Sequence, residues 1–216
     1  LVIRNGRSAP GMLGTPSTPG ADGGGILHEG TSLTLIDCTL TENRSGNGGA
    51  GDSFGFGGSG GRGGHGGAIF VNGGTLHLIN STLSGNAAGL GGNADIASFG
   101  SGGQGGSGGG IFNSGGSVNL LNSTLHSNTS GDGGFSTIGG SGGHGGGIHN
   151  AAGTVTIRQS TITANEAGDT SVAASSGGSG GGISDANGTL EITNSIVAAN
   201  SSGSSIIMPA SGHDLF

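Results

Sequence analysis

Tryptophan, tyrosine and lysine are absent from the 216 residues, and cysteine occurs once. Charged residues make up only 8%, against about 25% in an ordinary globular domain. The five arginines (Arg4, Arg7, Arg44, Arg62, Arg158) are scattered, so no basic patch points to nucleic acid or an anionic membrane. A lone Cys38 excludes an intrachain disulfide framework. No apolar run is long enough to cross a bilayer, so no membrane insertion is expected. Four prolines and no sustained Gly-X-Y pattern exclude collagen. Disordered chains are usually charged and poor in branched apolar residues, whereas short Leu/Ile/Val/Thr strings recur here throughout. The chain opens in mid-pattern on LVIRNG, without a signal peptide, which is expected of a chain processed or excised from a longer one.

What is abundant is glycine, 57 residues, and it is organised. A GG[GA]I tetrad ends at Ile26, Ile69, Ile111, Ile148 and Ile183, and an asparagine follows each isoleucine by 17 residues, at Asn43, Asn86, Asn128, Asn165 and Asn200. Asn5 is taken as a sixth member of this column. From each Asn to the next Ile the distance shrinks, 26, 25, 20 and 18 residues, so a rigid scaffold carries tolerant insertions. Within the constant part the apolar residues alternate. Leu33, Leu76, Val118, Val155 and Leu190 form one column; Leu35, Leu78, Leu120, Ile157 and Ile192 form the next. Leu40, Leu83, Leu125, Ile162 and Val197 form a third beyond a polar turn. Period two means strands with one buried face. Recurrence every 35 to 43 residues means stacked coils, none of which could fold alone. The expected fold is an all-β parallel solenoid of about five coils in one domain, residues 1–216, with rungs near 1–25, 26–68, 69–110, 111–147, 148–182 and 183–216. The Asn column is expected at a sharp corner, its amides bonding from coil to coil in left-handed backbone.

The pairing of GGAI (66–69) or GGGI with an [LIV]xxN turn, as in LTEN, LSGN, LHSN, ITAN and VAAN, resembles the repeats of polymorphic outer-membrane-type β-helix proteins. In that family the motifs are GGA[ILV] and FxxN. The resemblance implies a right-handed parallel β-helix and an extracellular or cell-surface location, as in adhesin passengers.

The variable segments keep a period of three in phase with the isoleucine: GGS-GGR-GGH-GGA before Ile69, GGQ-GGS-GGG before Ile111 and GGS-GGH-GGG before Ile148. Three residues per turn is polyproline II geometry, and glycine at two of three positions leaves two faces free for neighbouring backbones. A lateral layer of polyglycine II helices is expected, running out from Asn, returning along the GGx leg and tapering along the chain. Pro10, Pro16 and Pro19 fall on the same phase, as suits an edge helix lacking N–H donors. Asp52, Asp95, Asp132 and Asp169 read as a further column, each followed by an apolar residue (Phe54, Phe99, Phe135, Val172) expected to pack the layer and to cover Ile36, Ile79 and Leu121. These aspartates are the candidates for Ca²⁺, against the simpler reading of capped turns. His65 and His144 share a column two coils apart and are read as solvent-facing rather than as metal ligands.

The functional expectation is a structural protein, not an enzyme. Acids occur about once per coil, and the one shared column, His77 with Glu191, has no third partner. A polysaccharide-acting β-helix enzyme, an adhesin fragment and an ice-binding protein (Thr39, Thr82, Thr124, Thr161) are the alternatives. The expected partner is a second copy, stacked head to tail through Leu1, Val2, Ile3 and the tail residues Ile206, Ile207, Leu215 and Phe216, with matrix or cell-surface glycans as further ligands.

Overall fold

In the computed structural model, residues 1–52, 58–95, 100–172 and 175–204 are described. Among them there is no helix; the structure is all-β, and every strand pairing is parallel. One sheet has six strands: β1 (Val2–Arg4), β4 (Thr39–Thr41), β7 (Thr82–Ser84), β9 (Thr124–His126), β11 (Thr161–Thr163) and β14 (Ile196–Ala198), in that order. The other takes β2 (Ile26–His28), β5 (Ile69–Val71), β8 (Ile111–Leu121), β10 (Ile148–Arg158) and β12 (Ile183–Asp185), with β3 (Ser32–Ile36), β6 (Thr75–Ile79) and β13 (Gly188–Thr193) pairing alongside. Each strand pairs with its counterpart in the next repeat, the arrangement of a parallel β-solenoid.

The three apolar columns are in register as ladders: Leu33–Leu76–Val118–Val155–Leu190, Leu35–Leu78–Leu120–Ile157–Ile192, and Ile3–Leu40–Leu83–Leu125–Ile162–Val197. With the tetrad isoleucines they form the core, fully buried at its centre, while Ile192 at the last repeat is exposed. Each such side chain contributes about 1.5–3 kcal/mol by burial.

Two corners per repeat turn through single left-handed residues. Asp37, Asn80, Asn122, Gln159 and Asn194 (φ 48–52°) precede the Cys38/Ser column; Asn5, Glu42, Gly85, Ser127, Ala164 and Ala199 (φ 52–63°) precede the Asn column. The left-handed residue is therefore the neighbour before each ladder asparagine, not the asparagine itself. Asn5 belongs to this preceding file. Ile3 pairs with Leu40 and Arg7 bridges Arg44, so the residue opposite Asn43 is Gly6. Gly6 N–H donates to Asn43 Oδ1 at 2.9 Å. A side chain at position 6 is excluded, because its Cβ would lie 2.4 Å from the Gly24 carbonyl oxygen.

Candidate functional site

The asparagines form a buried ladder. The backbone N–H and the Nδ2 of Asn43 both donate to Asn86 Oδ1, and the same pair of bonds recurs from Asn86 to Asn128, Asn128 to Asn165 and Asn165 to Asn200, at 2.8–3.1 Å. Each Nδ2 also bonds a strand carbonyl, for example Asn128 to Leu83. The neighbouring corner repeats the device with hydroxyls: the N–H groups of Cys38, Ser81, Ser123 and Ser160 donate to the Oγ of the next serine. A third ladder, Asn113 to Asn150 to Asp185, bonds through side chains at 2.8 and 2.7 Å. The tripeptides IFN (111–113) and IHN (148–150) carry its signal in the sequence.

The glycine segments leave the Asn corner on an outgoing leg and come back on a returning one, and the two kinds of leg alternate along continuous files of N–H to C=O bonds. The inner file runs Ala21 to Ala9, Gly46 to Ala21, Gly64 to Gly46, Gly89 to Gly64, Gly106 to Gly89, Gly131 to Gly106, Gly143 to Gly131, Gly168 to Gly143, Gly178 to Gly168 and Gly203 to Gly178, all at 2.7–3.0 Å. One turn farther out a second file runs from Gly49 to Thr18 through Gly61, Gly92, Gly103 and Gly134 to Gly140. It ends earlier because the later segments are shorter. Other glycine N–H groups donate to the same leg of the next repeat, as Gly48 to Leu90, Gly91 to Asp132 and Gly133 to Asp169.

Third-position N–H groups point the opposite way and are met by side chains. On the returning leg Asp22 Oδ1 accepts from His65 N–H, His65 Nδ1 from Ser107, Ser107 Oγ from His144 and His144 Nδ1 from Ser179, at 2.7–3.0 Å. Because a backbone N–H can only donate, both imidazoles present an unprotonated Nδ1. The solvent-facing reading of these histidines is corrected. His65 stacks on Phe112 with centroids 4.1 Å apart, Phe112 stacks on Phe70 and meets His149 at a tilt, and His144 stacks on His149, where the returning leg lies against β5, β8 and β10. Burial, with Arg62 and His149 adding repulsion, pushes His65 down to about 3. Burial and then His144 push His149 down to about 4, with Asp185 opposing, and burial lowers His144.

The first repeat departs from glycine in a patterned way. Ala9, Met12, Thr18 and Ala21 stand where the next repeat has Gly46, Gly49, Gly61 and Gly64; a Cβ on those glycines would lie 1.9–2.2 Å from the carbonyl oxygens of Ala9, Met12, Thr18 and Ala21 respectively. Pro10, Pro16 and Pro19 stand at third positions. Their registers are those of Asn47, Ser59 and Arg62, Pro10 on the outgoing leg and the other two on the returning one. These N–H groups would point away from the layer, so proline removes no bond there.

The four aspartates are not one column. Asp132 and Asp169 share a file with Pro10, Asn47, Leu90 and Ser204; Asp169 N–H donates to Asp132 Oδ1 and Ser204 N–H to Asp169 Oδ1, at 2.8 and 2.6 Å. Asp52 and Asp95 lie five residues farther along their legs, opposite Thr137 rather than Asp132. The shift arises because the later legs are shorter. Phe135 and Val172 share a file but Phe135 is 48% exposed, and Ile36 and Leu121 are exposed, so among the described residues no apolar cover lies over them. Phe54 and Phe99 lie outside the described residues, as do Ile206, Ile207, Leu215 and Phe216. Leu1 and Val2 are exposed on the edge of the six-stranded sheet, and Ile3 ends the core ladder. Thr39, Thr82, Thr124 and Thr161 are in register, flanked by Val2 and Ile196. His77 and Glu191 share a file with Asn119 and Thr156 between them, about 14 Å apart along the stack.

The outward files of the outgoing legs carry five of the seventeen charged residues, Arg7, Arg44, Asp132, Glu166 and Asp169. Arg7, Arg44, Ala87, Thr129, Glu166 and Ser201 bridge in one file; Asn47, Leu90, Asp132 and Asp169 lie in the next. Between the files run shallow furrows of about 270 and 360 Å³. No family model, curated protein or solved structure matches the chain.

Proposed function

We propose that this chain is an extracellular or cell-surface structural element: a right-handed β-solenoid of about five coils, stiffened along one side by a layer of polyglycine II helices. The observation that carries this reading is the unbroken file of N–H to C=O bonds from Ala9 to Gly203, alternating between outgoing and returning legs. Ordering glycine costs roughly 0.5–1 kcal/mol per residue more than alanine. Bonds at about 1 kcal/mol each offset that only when nearly every backbone group is paired, as along these files. The repeat resemblance to polymorphic outer-membrane-type proteins agrees with such a scaffold.

Hydrogen exchange tests the layer. Amides of Gly64, Gly89, Gly106, Gly131 and Gly143 are expected to be protected like those of the core strands. Exchange at linker rates would discard the layer. Incubation with a panel of polysaccharides tests the non-catalytic part, and release of reducing ends above the blank would overturn it. End-to-end joining of copies is confined by the first repeat. The side chains of Ala9, Met12, Thr18 and Ala21 fill the space that a preceding glycine leg would need, so such joints use the strand edges and interrupt the layer.

A further inference from the structure

We infer that the outward face of the outgoing legs is a lateral interface, and that its partner is a second copy of this chain lying antiparallel. The inference rests on the ordered glycine layer, since only fixed legs hold these side chains in files.

The files of this face are one three-residue turn apart, about 9 Å, and the rungs repeat about every 4.8 Å. Charge along it is segregated. Arg7 and Arg44 stand on the first two repeats, Ala87 and Leu90 on the third, and Asp132, Glu166 and Asp169 on the fourth and fifth. Arg7, Arg44, Asp132 and Glu166 are exposed and Asp169 is half-buried. Leu90, at the centre, is 46% exposed. The other side of the layer differs: its ion pair, Arg62 with Asp22 at 3.4 Å, is satisfied within the chain.

A two-fold axis through the Leu90 rung reverses the order of repeats in the partner. Arg44 of one copy then comes to the level of Asp132 in the other, Arg7 to the level of Glu166 and Asp169, and the two Leu90 side chains meet. Parallel alignment would instead set arginine against arginine and acid against acid. An isologous antiparallel pair is therefore the arrangement that this charge order fits. Exposed ion pairs are individually weak, so the association should be moderate and weakened by salt.

Two charge-reversed chains test this by sedimentation equilibrium at low salt, with far-UV circular dichroism as the check on folding. R7E/R44E is acidic along the whole face, and D132R/E166R is basic along most of it. Each alone is expected to self-associate about tenfold more weakly than the native chain, while an equimolar mixture regains association. L90E, which removes no hydrogen bond, is expected to weaken the native dimer similarly. A native chain that stays monomeric, a dimer indifferent to R7E/R44E, or variants that fail to complement each other would overturn the inference. Failure of the layer itself shows separately, as unprotected glycine amides.

Discussion

Replacing Gly131 by alanine asks whether the glycine legs are built or merely tolerated, because the two cases differ in sign. The added Cβ would lie 1.9 Å from the Gly89 carbonyl oxygen, 2.6 Å from its carbon and 2.9 Å from Gly106 N. Relief needs a displacement on the order of 1 Å, and neither neighbour is free to make it. Gly89 N–H is bonded to Gly64, Gly106 N–H to Gly89 and Gly131 N–H to Gly106, at 2.8–3.0 Å. A shift of that size breaks two or so of these bonds at about 1 kcal/mol each and adds overpacking of about 1–3 kcal/mol. Restricting the unfolded chain returns about 0.4–1 kcal/mol. The net expectation is a loss of about 2–4 kcal/mol. At Gly30 the nearest atom to a new Cβ is 3.5 Å away and the backbone is not left-handed, so Gly30→Ala should be neutral or slightly stabilising. Urea midpoints of the two variants against the native chain make the measurement. If Gly131→Ala were as stable as the native chain or more so, the legs would be loose and the layer argument would fail.

Asn128→Ala strips the Oδ1 that accepts both the N–H and the Nδ2 of Asn86 in a buried ladder. A loss of about 3–5 kcal/mol in urea is expected, and a loss below about 1 kcal/mol would mean that water or relaxation satisfies those groups. Cys38→Ser should change stability by less than about 1 kcal/mol, since serine fills the same corner at Ser81, Ser123 and Ser160; thermal midpoints check it. His65 and His149 are held neutral, at about 3 and about 4 against 6.5 when unfolded, so their contribution is intact above pH 6.5 and is lost as pH falls from there toward 4 and 3. Each histidine removes up to about 1.4 kcal/mol per pH unit in that window, and His65→Asn, which keeps an acceptor for Ser107 N–H, should flatten the decline of the thermal midpoint between pH 7 and 4. An unchanged slope would exclude His65.

The strands and apolar ladders were readable because their phase is constant: 17 residues from each tetrad isoleucine to each asparagine leaves no freedom of register. The misplaced residues are those judged by resemblance to a neighbour and not by counted distance. Leu40 precedes Asn43 by three, and three beyond Ile3 is Gly6, not Asn5. Asp52 and Asp95 stand nine residues beyond their asparagines, Asp132 and Asp169 only four, so counting from Asn separates the two pairs. His65 and His144 both stand four residues before a tetrad isoleucine, in the file of Asp22, Ser107 and Ser179. Spacing alone does not reveal that the inner end of the returning leg rests on the rings of Phe70 and Phe112. That depends on how the two layers approach, which is a tertiary matter.

The first repeat shows why glycine is used at all. Its legs, residues 7–22, read RSAPGMLGTPSTPGAD, and the glycines it keeps are as informative as those it lacks. A Cβ at Gly11 would lie 2.0 Å from the Thr18 oxygen, and one at Gly20 would lie 1.9 Å from the Gly46 oxygen; both positions face an opposing leg that is present. Ala9, Met12, Thr18 and Ala21 occupy the other glycine register, whose Cα atoms in every later repeat face the same leg one repeat earlier. Among the described residues nothing of the layer lies on that side of the first repeat, and side chains stand there. At Gly11 and Gly20 glycine is thus retained where an opposing backbone approaches, and at Ala9, Met12, Thr18 and Ala21 it is given up where no earlier leg stands among the described residues. A flexible linker selected for looseness has no reason to distinguish the two registers, whereas a hydrogen-bonded layer with an edge does.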